Sequence, residues 1–314
     1  MAGDRGETAG VSGLPGASLS LRLTRISMRW VARPILARAQ NIAVVRLMAS
    51  LGAWFAFPPR DVALSPWGDG GLELRPRHAG SQAAPGPLVV WFHGGGYVAC
   101  SPHTHRPMLI QIARASGLRL IAPAYRLAPE HPGGAAFADA LAACQAILAS
   151  GVSSQALILA GDSAGGGLAA AVTAALCAAG QPPAGLLALS PWTDMTGSGA
   201  SHRENAHRDV LLPPGRLADL VRLVRGHLPP EDPRLSPAFA TFPGLPRAYL
   251  SVGTEEILRD DTRLLAARLA EGGTKVTVLE LQGVPHVVAF QAPWVPEART
   301  EIARIAAWLQ GIPI

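Results

Sequence analysis

The sequence predicts an α/β fold: a mostly parallel central sheet covered by helices on both faces, with a helical cap. Two observations point there. Short, near-continuous apolar runs alternate with helical patterns, as strands buried on both faces alternate with the helices that cover them. One such run leads through Gly161-Asp162-Ser163-Ala164-Gly165 straight into an alanine-rich helix. Taken in order, residues 1–18 are aperiodic and rich in Gly, Ala and Ser, the composition of a mobile tail. From Leu19 the pattern is helical, with Arg22, Arg25, Arg29 and Arg33 on one face and Leu19, Leu23, Ile26 and Trp30 on an adjoining stripe. Pro34 is expected to break or kink this helix, with a second helical stretch from about Ile35 to Trp54 and Pro58-Pro59 closing the segment. Apolar runs at Leu88–Phe92, Leu118–Ala122, Ala156–Ala160, Gly185–Leu189, Tyr249–Val252 and Val276–Leu281 read as buried strands. Helical patterns lie between them at Ala135–Leu148, Ala164–Ala178, Arg259–Glu271 and Pro296–Leu309. Residues 201–237 interrupt the alternation, with a helical piece around Arg216–His227 and no strand pattern, and read as an insertion carried above the sheet. The expected organisation is a tail over 1–18, cap helices over 19–57, and a main domain over 58–314 bearing the cap insertion.

A chain of 314 residues with 49% hydrophobic and 16% charged residues can bury a sizeable core and is not a disordered sequence. The net charge of +5 is unevenly placed: residues 1–60 hold eight arginines against Asp4 and Glu7, and the rest holds 19 basic and 20 acidic residues. The body therefore lacks the basic stripe of a nucleic-acid enzyme, and no nucleic-acid partner is expected. Cys100, Cys144 and Cys177 are odd in number and lack metal-ligand spacing, which argues against a disulfide framework or a zinc site. Cys144 and Cys177 read as small buried hydrophobes. No apolar run approaches the roughly 18 residues of a membrane span, and the N-terminus lacks a signal-peptide pattern, so a cytoplasmic location is expected.

The chemistry begins at Ser163. In G-x-S-x-G between a strand and a helix, small residues let the chain turn sharply enough to hold the serine strained, with its Oγ exposed. The helix N-terminus that follows favours negative charge nearby. A second motif, His93-Gly94-Gly95-Gly96-Tyr97, follows the strand Leu88–Phe92. Three glycines let backbone N–H groups converge on one point, and with the N–H of Ala164 they can form an oxyanion hole. A phosphate-cradling loop is disfavoured, because neither G-K-[ST] nor G-x-G-x-x-G follows. His93 itself reads as structural. A serine of ordinary pKa needs a base, and the base needs an orienting carboxylate, in chain order serine, acid, histidine. Of the later histidines only His286 follows the last strand; His202, His207 and His227 fall in the inserted stretch. After the strand Tyr249–Val252, the acid candidates are Glu255, Glu256, Asp260 and Asp261, and spacing alone does not choose among them.

These blocks resemble the hormone-sensitive-lipase-like esterases, the bacterial group marked by HGGG and GDSAG motifs. The likeness covers roughly Pro87 to Leu309. It includes WFHGGGY, Tyr125-Arg126-Leu127-Ala128-Pro129-Glu130, GDSAGG, Ser190-Pro191-Trp192, Asp232-Pro233-Arg234-Leu235-Ser236-Pro237 and GVPH. It implies the α/β-hydrolase fold and a Ser163–Glu256–His286 triad. Family members commonly carry D-P-L-R-D at the acid, and aligning Leu258-Arg259-Asp260 puts Glu256 in place of the first aspartate, with Glu255 beside it. A second departure is Pro132-Gly133-Gly134, where the family has a bulkier Phe-Pro. The resemblance further implies Gly95 and Gly96 as oxyanion donors alongside Ala164.

The function expected is that of a serine carboxylesterase acting on short- to medium-chain esters through an acyl-enzyme, with no metal or organic cofactor. Tyr97, Trp192, Leu211 and Trp54 are candidates to line the substrate pocket, although apolar residues near a cap more often simply pack. A specialised lactone or other ester hydrolase, and a non-catalytic ligand-binding protein on the same fold, are the alternatives; the presence of His286 speaks against the second. The partners expected are a small-molecule ester, weak contact of the basic N-terminal helix with a membrane surface, and a second copy in a homodimer.

Overall fold

The computed structural model describes residues 16–38, 41–53, 61–77 and 86–311. Most of the expected tail, Trp54 and Pro58-Pro59 lie outside the described residues. The chain enters through helix α1 (Leu19–Ser27), capped by Ser18, whose Oγ accepts from the Leu21 N–H at 3.2 Å. Pro34 does not end this helical run. Met28–Ala32 forms a π-type turn closed by the Arg33 N–H on the Met28 carbonyl, and α2 (Arg33–Arg38) begins there. Pro34 thus comes just after a π-type turn, where the i→i−4 ladder is already interrupted. Helix α3 (Ile42–Ala53) follows, its start held by Asn41, whose Oδ1 accepts from the Ala43 N–H at 2.9 Å.

A hairpin the apolar pattern did not predict comes next, β1 (Val62–Trp67) and β2 (Gly71–Pro76). The body then runs β3 (Leu88–Phe92), α4 (Pro102–Ser116), β4 (Leu120–Ala122), α5 (Ala135–Ala149), β5 (Leu157–Asp162), α6 (Ala164–Ala178) and β6 (Gly185–Leu189). It continues through α7 (Ser201–Glu204), α8 (Pro214–Val224), β7 (Arg247–Gly253), α9 (Arg259–Glu271), β8 (Lys275–Leu281) and α10 (Pro296–Gln310). Helix α4 was also unpredicted. Pro107 inside it and His103 and His105 in its first turns obscure the pattern, while Ser101 and Thr104 close a capping box at its start. In residues 201–237 the expected helical piece is α8, and no strand forms.

The eight strands lie in the order β1-β2-β4-β3-β5-β6-β7-β8, and only β2 runs against its neighbours. Strand parity divides the core between the two faces. Val90, Phe92, Leu157, Leu159, Leu186 and Leu250 meet α5, α6 and α9 on one side. Val89, Trp91, Ile158, Leu187 and Tyr249 meet α4 and α10 on the other, where α1 contributes Leu21. Cys144 and Cys177 are buried and unpaired among these helices. Because β3, β5, β6, β7 and β8 are parallel, the loops after all five emerge at one edge of the sheet.

Candidate active site

Ser163 stands at that edge between β5 and α6, with φ +53° and ψ −124°. Its N–H donates to the Leu189 carbonyl at 2.8 Å, and its carbonyl accepts from Gly167 and Trp192. The turn demands its glycines. A Cβ on Gly161 would lie 2.3 Å from the Gly165 carbonyl oxygen, and one on Gly165 would lie 2.1 Å from that of Phe92. This strained serine is half-exposed while its neighbours are buried.

The loop after β3 packs against this turn. A Cβ on Gly94 would meet Asp162 Oδ2 at 2.4 Å and Ser163 Cβ at 3.2 Å. Gly95 and Gly96 take φ +111° and +63°, open only to glycine at low cost. The Gly94 N lies 3.0 Å from His105 Nε2. Among the described residues no acceptor meets the N–H groups of Gly95, Gly96 or Ala164. Three donors thus remain for an incoming oxygen.

Behind the loop is a buried polar frame. His93 stacks on Tyr125 at 4.2 Å, its Nδ1 lies 2.7 Å from the Gly94 carbonyl, and its own carbonyl accepts from Tyr125 Oη at 2.6 Å. Burial, with His105 nearby, drives its pKa down to about 3, so it stays neutral and holds the loop. Asp162 accepts from Trp91 Nε1 at 3.0 Å and faces His105 Nε2 at 3.1 Å. Burial disfavours its charge, but His105 and Trp91 outweigh that and hold it below the usual carboxylate range.

Glu256 and His286 come from the loops after β7 and β8. His286 Nδ1 lies 2.6 Å from Glu256 Oε2, and both side chains are buried. The other oxygen of Glu256 accepts from Ser190 Oγ at 2.7 Å and the Gly253 N–H at 2.5 Å. With the carboxylate at Nδ1, the neutral His286 ring carries its hydrogen there and leaves Nε2 unprotonated. Burial works against the imidazolium, but Glu256 and, further off, Asp209 and Asp162 outweigh it and raise the His286 pKa.

The other acid candidates go elsewhere. Glu255 pairs with Arg25 at 2.6 Å, Asp260 takes the Ser201 N–H at 2.8 Å, and Asp261 binds His202 at 2.7 Å and the Thr193 and Asp194 N–H groups. Tyr97 and Trp192 are buried with ring centroids 6.1 Å apart, and Leu211 is half-buried.

Residues that sequence reasoning missed surround this cluster. Ser190, at φ +46°, bonds Glu256 and also accepts the Val287 N–H at 3.2 Å, joining the two loops. Ser201, Asn205 and Asp209, spaced four apart and all buried, clamp the Glu256 loop. Ser201 Oγ donates to the Ile257 carbonyl at 2.7 Å. Asn205 Nδ2 donates to the Thr254 and Glu256 carbonyls at 3.0 and 2.8 Å, and Asp209 Oδ2 accepts the Ile257 N–H at 3.0 Å. The i, i+4, i+8 spacing was the available signal. Leu220 of α8 lies over the glycine loop, its Cδ1 3.0 Å from where a Gly96 Cβ would be.

Comparison with known proteins agrees with this geometry. The family profile described as α/β hydrolase fold matches residues 89–290. An acetyl-hydrolase of Streptomyces hygroscopicus is 36% identical over 94% of this chain and 97% of its own length. An esterase of Acinetobacter venetianus is 32% identical over 74% and 78%. The crystal structure of an esterase from the bacterial hormone-sensitive lipase family superposes with a TM-score of 0.86 at 33% identity, covering 95% of this chain and 99% of that one. A chain alike over nearly its whole length, with the strained serine at the sheet edge, belongs to the α/β-hydrolase fold family, on its hormone-sensitive-lipase-like branch.

Proposed function

We propose that the protein is a carboxylesterase in which Ser163 is the nucleophile, His286 the general base and Glu256 the carboxylate that orients it. The observation that carries this reading is the buried 2.6 Å contact of His286 with Glu256, at the sheet edge that holds the strained Ser163. His286 Nε2 takes the Ser163 proton as Oγ attacks the ester carbonyl. The oxyanion draws on the N–H groups of Gly95, Gly96 and Ala164, and one such donor is worth about 10²–10³ in rate. The imidazolium, stabilised by Glu256, then protonates the departing alcohol, and water repeats the sequence on the acyl-enzyme. Residues on this chain supply every proton transfer.

The relatives named esterase and acetyl-hydrolase favour short acyl groups as the substrate class. The 201–237 insertion and the N-terminal helices act as a cap: Leu220 reaches the oxyanion loop, and Arg46 Nε donates to the Val98 carbonyl at 2.7 Å just beyond it. Such a cap excludes water and shapes the acyl pocket, with Leu211 at its wall. Tyr97 and Trp192 support that wall from the core.

The test is turnover of a p-nitrophenyl ester together with covalent labelling by a fluorophosphonate. Wild type should hydrolyse the ester and carry the label on Ser163. Ser163→Ala should lose the label and fall to the about 10³–10⁴-fold over water that an oxyanion hole and binding alone provide. Undiminished hydrolysis by Ser163→Ala would refute the assignment.

A further inference from the structure

Helix α1 is docked with its polar face inward. Arg25 reaches the Gly283 carbonyl at 2.7 Å and Glu255 at 2.6 Å. Arg29 donates to the carbonyls of His207 and Arg208 at 3.1 Å, and Arg33 donates to that of Ala206 at 2.7 Å. The arginine face expected to lie on a membrane is therefore engaged with the protein. The apolar stripe points the other way: Leu19, Leu23, Ile26 and Trp30 are 72%, 57%, 56% and 74% exposed. Of α1, Leu21 alone is buried. At about 1.5 Å per residue the stripe runs about 16 Å along the helix, and Val31 and Ile35 extend it. A water-facing helix ordinarily shows the reverse pattern, so such a surface marks an interaction site.

The charges around the stripe select its partner. Between Glu7 and Asp61 the sequence contains seven arginines and no acidic residue. Arg22 and Arg38 are exposed beside the stripe. Two copies docked stripe to stripe would bring these arginines together with no carboxylate on the same helices to receive them. A surface both apolar and anionic suits them. A second tryptophan lies near the N-terminal end of the helix: Trp294, 82% exposed, precedes by three residues the Glu297 that binds the capping Ser18. Tryptophan's apolar ring and polar N–H suit the headgroup level of a bilayer.

We propose that Leu19, Leu23, Ile26 and Trp30, flanked by Arg22 and Arg38 and assisted by Trp294, form a docking surface for an anionic lipid bilayer. The helix lies in the interface plane, with its apolar stripe in the lipid and Arg25, Arg29 and Arg33 still holding the protein.

Flotation of the full chain with vesicles tests this. The wild-type protein should float with phosphatidylcholine vesicles containing phosphatidylglycerol, and brominated lipid should quench its tryptophan emission. The combined Leu23→Ser, Ile26→Ser, Trp30→Ser variant should bind at least about tenfold more weakly. Arg22→Glu should weaken binding about fivefold or more, since it removes one attractive charge near the surface and adds a repulsive one. Trp30→Phe alone should lose part of the quenching, which keeps the test valid if the combined variant folds poorly. Ser163→Ala should float like wild type, so failure of the hydrolytic reading and failure of this one are separable. Wild-type protein that stays with the soluble fraction would overturn the proposal. So would flotation indifferent to the stripe, or a wild-type dimer that the combined variant converts to monomer while vesicles bind neither.

Discussion

Ser190 joins the two loops that carry Glu256 and His286, donating to Glu256 while accepting the Val287 N–H. Its substitution should act through orientation rather than binding. Ser190→Ala should lower kcat about tenfold with KM little changed, as expected for one hydrogen bond to a buried charge. Glu256→Gln should cost far more, and Glu255→Gln little, since Glu255 is a half-buried partner of Arg25. Steady-state kinetics on the three variants decides, and a Glu255→Gln enzyme more damaged than Glu256→Gln would reverse the acid assignment. The pH dependence follows from His286. Burial lowers its pKa, but Glu256, Asp209 and Asp162 together raise it. Because the base works only when neutral, kcat/KM should fall with acidity on a limb above the ordinary imidazole value of about 6.5. Asp209→Asn removes one of those charges, so the limb should move to lower pH, while kcat also drops as the Ile257 anchor weakens. A limb that stays in place in Asp209→Asn would show that this carboxylate does not act on His286. Motif and chain order point to Ser163 and His286, whereas Glu256 rests on the family resemblance, since spacing leaves four acids open. Ser190 and His105 were not legible, because each acts on a partner 57 or more residues away, and spacing says nothing of such pairs.

Among the elements, α1 shows how a correct period can yield a wrong orientation. The arginine and leucine faces were both readable, but which one faces the protein depends on the carbonyls of residues 206–208 and on Glu255. Arg25 ties the acid loop to the loop before His286, touching Glu255 and Gly283. Arg25→Ala should lower kcat several-fold and Tm by about 2–4 °C, the shift expected for about 1 kcal/mol in a domain of this size or somewhat smaller. Thermal melts and kinetics check both, and a variant with unchanged Tm and kcat would mean that α1 does not brace these loops. The strands at the centre of the sheet were visible as apolar runs because both faces are covered. The β1–β2 hairpin escaped because its apolar runs are interrupted, by Ser65 and Pro66 in β1, by Glu73 and Arg75 in β2, and by Gly68 and Gly70 in the turn.

For the whole molecule, the sheet puts the loops of Ser163, Glu256 and His286 on one edge, and the parallel strands that do so were legible from alternation alone. No described helix is long and apolar enough to cross a membrane. The Ser18–Glu297 contact spans 279 positions, and Arg25 waits on Glu255 and Gly283. The first described helix therefore cannot settle until most of the chain has been made. At about 5–20 residues per second, α1 remains unseated on the ribosome for about 15–60 s. Its docking on Glu255 and Gly283 likewise has to follow formation of the loops after β7 and β8. Refolding followed by sheet signals should finish before activity returns, and activity recovered in step with the sheet would contradict this order. During that interval Leu21, buried in the finished fold, is exposed together with the outward stripe.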